Sequence, residues 1–222
     1  STALFSFKPP WDTISCGSGF SRGERCRFFM APPPPRPAKG FFPPSRRGRG
    51  PADSCSLSTG TGLLVVAAGK MIAEGLDAET IAEKLRKRAS NIHASFVLDT
   101  LTFLHAGGRC SSLAALGANM LKLKPCIEVN NHDGSMGVGK KYRGSLDKVL
   151  VKYVKDQLSK YADIDTDLLF ITHSGISQEY IDAVKKTVDE TMKFKEIHIT
   201  KASCTISCHC GPNTLGILFE TK

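Results

Sequence analysis

Eight of the twelve prolines in this chain fall within residues 22–51, "RGERCRFFMAPPPPRPAKGFFPPSRRGRGP". Proline removes a backbone donor and fixes φ, so a segment this rich in it does not sit inside a helix or a sheet. Neither a 3.6- nor a 2.0-residue periodicity runs through it. The sequence therefore predicts a low-complexity, disordered Pro/Arg-rich segment over residues 1–51, and a folded body after it.

The same segment carries the charge. The chain has a formal net charge of +9, a value that invites a nucleic-acid reading. Between residues 22 and 49 seven Arg and one Lys face Glu24 alone, whereas residues 50–222 hold 21 Lys/Arg against 19 Asp/Glu. The body is nearly neutral, and the basic arm has no recognition fold beside it. Nucleic-acid binding through the arm stays as an alternative, with no nucleic-acid partner as the first expectation.

The longest clearly apolar run, "LLVVAA" at 63–68, is too short to span a membrane. No export signal pattern opens the chain, so a reducing, cytoplasmic setting and free thiols are expected for the eight cysteines. The chain opens on Ser1 rather than Met, consistent with a fragment or a processed product.

After Asp53 the pattern becomes ordered. "GLLVVAAGKMIAEG" (62–75) reads as a helix, hydrophobic almost all round and so well buried. Asp77 caps a second helix, with acids before bases. "ASFVLD" (94–99) reads as a strand, 100–108 as a short helix, and 111–123 as a helix stopped before Pro125. "CIEV" and the stretch around "GKKYRG" flank an Asp-Gly turn and read as a hairpin. A helix follows Ser145, with 146, 149, 150, 153, 154 and 158 on one face. "DLLFITHS" is a strand, "SQEYIDAVKKTVDETM" a helix, and "EIHIT", "SCTISCH" and "LGILFE" are strands. The fold class is α/β or α+β.

"CHCGPNTLG" (208–216) invites a metal reading. Zinc takes four ligands, and Cys204-x3-Cys208 has a chelating spacing. If "SCTISCH" is a strand, His209 faces away from Cys208 and Cys210, so neighbours cannot close on one ion, and packing explains the cysteines better. Cys208 and Cys210 also lack redox-turn spacing. No metal, cofactor or catalytic residue is expected. His209, before Gly211-Pro212, either contacts an anion or is satisfied by nearby backbone. "STGTG" (58–62) lacks the third glycine of a dinucleotide loop and reads as a tight turn into a helix. His173, at a strand end, reads as structural. Lys140, Lys141 and Arg143 form a basic cluster, either a solvated face or a docking patch.

Three stretches in order carry a family resemblance: "DSCSLSTGTGLLVVAA", "FVLDTLTFLHAGGRCSSLAALGANMLKLKPCIEV" and "CHCGPNTLGILF". Together, over residues 52–222, they resemble the DegV family. The resemblance implies a two-domain α/β protein, non-catalytic, that holds a long-chain fatty acid between its domains. In bacterial members the carboxyl group is presented to a separate fatty acid kinase. Arg109 matches the family arginine near the head group, where a guanidinium suits a phosphate; its alternative role is a helix cap. His209 matches the head-group histidine. Cys210 stands where many members have threonine and offers a weaker donor.

Where the family has its serine loop, the chain has only "ISCGSGFS" (14–21), in which Ser18 and Ser21 can fall on the motif and Ser18 is the candidate for the carboxylate-binding serine. The likeness stops at residue 22. An abrupt run of Arg, Pro, Gly and Ala between two family motifs is what a GC-rich gene gives when read out of frame; the alternative is a genuine linker. The first domain is therefore expected to be partial: a parallel α/β remnant over 52–105 leaning on a better packed 106–222 with a mixed sheet and helices. A nonfunctional truncated relative is the remaining alternative.

Overall fold

A computed structural model describes residues 52–106 and 123–222 of the chain. In chain order its elements are α1 (Thr59–Ala73), α2 (Ala78–Ala89), β1 (Ile92–Val97), α3 (Thr102–Ala106), β2 (Leu123–Val129), β3 (Met136–Arg143), α4 (Leu146–Ser159), β4 (Ile164–His173), α5 (Gln178–Thr191), β5 (Glu196–Lys201), α6 (Cys204–Cys210) and β6 (Leu215–Thr221). The six strands form one mixed sheet in the order β3-β2-β1-β6-β4-β5. β4 and β5 run parallel, and β1 is antiparallel to both β2 and β6. Residues 92–97 therefore lie in the middle of the sheet that 123–222 otherwise builds, and the boundary expected at 105/106 falls within one hydrogen-bonded unit.

Strand alternation divides the core into two layers. On β6, Leu215, Ile217 and Phe219 join the α4 and α5 side with Tyr153, Val154, Val184 and Val188. Leu218 points the other way, with Phe96, Phe170 and Cys210, against α1, α3 and α6. All seven residues of β6 are buried, as a strand covered on both faces must be. The α4 face read from sequence is the buried one.

Local chemistry explains the element ends. Asp77 caps α2, its carboxylate accepting from the N–H groups of Glu79 and Thr80 at 3.0 Å each. The β2–β3 turn closes through Gly134 N–H to Asn130 O at 2.8 Å, and Gly134 supplies the positive φ of 71°. Ser145 stands at the N-cap position of α4 without a side-chain capping bond.

α1 departs from expectation. Leu63, Leu64, Ala67 and Met71 are buried, but Val65 and Ile72 are 64% and 65% exposed. The helix buries one face rather than its whole circumference. The helix expected over 111–123 lies outside the described residues except at Leu123, which opens β2. No helix among the described residues is long and apolar enough to cross a membrane.

Candidate ligand-binding site

The stretch read as a strand at 203–209 is the helix α6. Its ends show why. Ser203 is extended, and its Oγ accepts from the N–H of Ile206 at 3.4 Å, an N-cap. Gly211 ends the helix at φ 77°, ψ 174°, a conformation open essentially to glycine alone. These two signals outweigh the alternating pattern between them.

The change of period redistributes the side chains. In a helix Ile206 and Cys210 stand one turn apart on the same face. Ile206 is half-buried and Cys210 buried, both against the sheet, whereas Cys204 and Cys208 are exposed. Strand alternation is thus not what separates His209 from the cysteines. Among the described residues no group of three or more His, Cys, Asp or Glu is placed to hold a metal ion. Burial pushes the Cys210 thiol up to about 11, so it stays protonated, a packing group with a weak donor.

The turn after α6 is tied to the end of β4. Ser174 N–H donates to Thr214 O at 3.0 Å, Asn213 N–H to Gly175 O at 3.0 Å, and Ser174 Oγ to Gly211 O. Thr214 Oγ1 closes the turn on Cys210 O at 3.0 Å. Facing this junction is the segment entering α1, where Cys55 and Ser58 take positive φ. Thr59 Oγ1 reaches Thr172 Oγ1 at 2.6 Å, fixing that segment to β4. The turn expected from "STGTG" is here, though it begins α1 three residues earlier than the apolar pattern indicated.

Between these pieces lies a small apolar cavity, walled by Leu57, Phe96, Ile206, Cys210 and Leu218 with His173 among them. Its volume is about 30 Å³, room for about one water-sized group. It is a point of contact, not an enclosure for a long chain. Three buried side-chain polar atoms among the described residues have no hydrogen-bond partner: Ser56 Oγ, His173 Nδ1 and His209 Nδ1. His173 lines this cavity, and Ser56 and His209 stand next in sequence to the lining Leu57 and Cys210. Buried polar atoms are normally paired, so unpaired ones at and beside a cavity single it out as a candidate site.

His209 is therefore where the sequence placed it, beside the glycine turn, but on a helix. His173 was read as structural; its ring nitrogen is orphaned in the cavity region, and burial first, then the charge of Lys201, hold its pKa below the usual imidazole value. Ser56 carried no signal in the sequence. Arg109 and Ser18 lie outside the described residues. Asp99, at the exit of β1, pairs with Lys124 and accepts from Asn213 Nδ2 at 3.2 Å, so the 211–214 turn is held from β1 as well.

Comparison with known proteins agrees with this architecture. The family described as uncharacterised protein, DegV family, matches residues 50–222. A DegV domain-containing protein of Clostridium acetobutylicum is 30% identical over 173 residues, covering 77% of this chain and 59% of that protein. The structure is similar to a fatty acid binding DegV family protein from Streptococcus agalactiae, with TM-score 0.63, 25% identity, and coverage of 72% of this chain and 56% of that one. It is also similar in fold to the Streptococcus pneumoniae fatty acid kinase (Fak) B3 protein loaded with linoleic acid, at TM-score 0.64 and 22% identity, covering 73% and 56%. This chain thus spans about three fifths of the length of the relatives it matches. The matched segment takes in the whole six-stranded sheet and the junction of β4, α6 and β6, and the chain belongs to the DegV family.

Proposed function

We propose that this protein binds a long-chain fatty acid in a cytoplasmic setting and presents its carboxyl group to a separate fatty acid kinase, with no catalytic group of its own. The observation that supports this reading is the apolar cavity with His173, whose Nδ1 is buried and unpaired, in its lining, and with His209, whose Nδ1 is likewise unpaired, next in sequence to the lining Cys210. An amphiphile satisfies both halves of that surface. Burial of its chain is worth about 0.8 kcal/mol per methylene, so the chain supplies affinity and a few donors set the position of the head group. His209 is the head-group donor, Cys210 packs beside it, and Arg109 and Ser18 are the further contacts expected from the family likeness. The solved relative from Streptococcus agalactiae is described as fatty acid binding, and the Streptococcus pneumoniae protein belongs to a fatty acid kinase.

The sheet gives the kinase a place to approach. Successive registers connect Arg143 to Leu123, Cys126 to Val97, Val97 to Leu215, and Leu215 to His173. The basic end of β3 therefore lies along the same end of the sheet as the imidazoles.

Native mass spectrometry of the protein purified from bacteria tests the reading. Co-purified acyl chains, released in part by His209→Ala, are expected. Protein that is folded, free of lipid and unable to take up added fatty acid would overturn it.

A further inference from the structure

The polar groups around the cavity differ in one respect. Ser95 Oγ lies 2.8 Å from Tyr153 Oη. Thr172 Oγ1 is shared between Thr59 at 2.6 Å and Thr200 at 2.9 Å. Ser174 Oγ donates to Gly211 O, and Thr214 Oγ1 to Cys210 O. Each of these buried lining side chains has at least one hydrogen-bond partner inside the protein. His173 Nδ1 has none: it is buried and unpartnered, and His173 is among the residues lining the cavity.

We infer that His173 is a specificity residue of this cavity, recognising an uncharged hydroxyl carried on an otherwise apolar acyl chain. The inference rests on the fatty-acid reading above and names which chains that site selects. Three observations carry it. The cavity admits one small group, which matches a hydroxyl and excludes a bulky head. His173 stands at the end of β4 beside Lys201 of β5, its register partner, and burial first, then that neighbouring cation, disfavour an imidazolium there. A neutral ring presents Nδ1 either as N–H or as a lone pair. A hydroxyl both donates and accepts, so it pairs with either tautomer, whereas a carboxylate pairs with the N–H form alone.

The nitrogen is already buried and unpaired in the free protein, so an unsubstituted chain leaves it as it is, whereas a hydroxylated chain supplies the missing partner. The geometry thus selects by rewarding the polar ligand.

The test compares octadecanoic acid with a set of its monohydroxy isomers, hydroxylated at different positions, on the wild-type protein and on His173→Phe and His173→Gln. For the best isomer, the ratio of hydroxy to plain affinity should fall about tenfold in His173→Phe, the size of one buried hydrogen bond, and recover in part in His173→Gln. The ¹⁵N shift of His173 Nδ1 in the wild-type protein should move with that isomer and not with octadecanoic acid, which keeps the idea testable if a variant fails to fold. A plain acid that binds as well as every isomer, with no movement of the nitrogen resonance, overturns this inference alone. So does a crystal structure of the loaded protein with only an ordered water on Nδ1. Failure of every acid to bind overturns the fatty-acid reading and this inference with it.

Discussion

The hydroxyl of Tyr153 donates to the carbonyl oxygen of Ser95 at 2.8 Å, joining the inward face of α4 to the middle of β1. Tyr153 Oη in turn accepts from the N–H of Ile217 at 3.0 Å, so one fully buried side chain spans the β1–β6 pair. Tyr153→Phe keeps the ring and leaves those backbone groups without a partner. An unsatisfied buried polar group costs about 1–3 kcal/mol, so the urea midpoint should drop accordingly with no change in slope. A neutral substitution would mean that the β1–β6 pair holds without α4.

Gly211 is the second stringent position. Its φ of 77° and ψ of 174° suit glycine, and a Cβ there would run into the ring of Phe103 on α3. Gly211→Ala should cost about 1–3 kcal/mol in backbone strain alone, before any displacement of Phe103. Gly137, on β3, is the control: nothing stands within 4 Å of its added Cβ. Thermal melts should separate the two, with a loss of several degrees for Gly211→Ala and little for Gly137→Ala. Equal melts would show that the α6 turn relaxes freely.

Much of this fold was legible in the sequence because its helices carry their own caps and stripes. Asp77, the α4 stripe and the Asp-Gly turn each act within a few residues, and each holds. α6 was missed because "SCTISCH" alternates like a strand, while the deciding groups are Ser203, which opens it, and Gly211, which lies beyond it. Both were present to be read. α1 was overburied because an apolar surface does not say what covers it. The orphaned nitrogen of His173 was out of reach: it depends on how α1, the ends of β4 and β5 and the α6 turn come together, and sequence alone cannot bring those together.

His93 gives the fold a pH dependence. Its ring lies 4.1 Å from that of Tyr161 and 5.7 Å from that of Phe219, with Nε2 3.2 Å from Thr221 Oγ1. Burial first, then Lys160, lower its pKa below the ordinary 6.5, with Asp163 and Glu128 opposing. The unfolded chain therefore binds a proton at a pH where the folded one does not, and stability falls as pH drops from about 6.5 toward the depressed folded value. His173 shifts in the same sense. His93→Phe preserves the ring packing and removes the titration, so its stability should decline less between pH 7 and 5. An unaltered slope in urea titrations across that window would exclude His93 as a source.

The basic cluster of β3 divides into a structural and a free part. Lys140 donates to Asp156 Oδ2 at 2.7 Å and stands 5.7 Å from the Tyr142 ring centroid, so it braces the sheet edge. Lys141 and Arg143 border, together with Lys140 and with Lys148 and Lys152 of α4, a groove of about 480 Å³, and the described wall of that groove holds no acidic side chain. A lone run of cations serves an exposed edge well enough by repelling other strands. On the fatty-acid-kinase reading proposed above, a groove of them at the imidazole end of the sheet would also steer an acidic partner surface toward it before any specific contact forms. Lys141→Glu with Arg143→Glu should slow association with the kinase by roughly tenfold or more at low ionic strength, and the deficit should shrink as salt screens both charges. Fatty-acid retention and the melting temperature should follow the wild-type protein. Association that is equally fast in the double variant would assign these charges to edge protection alone.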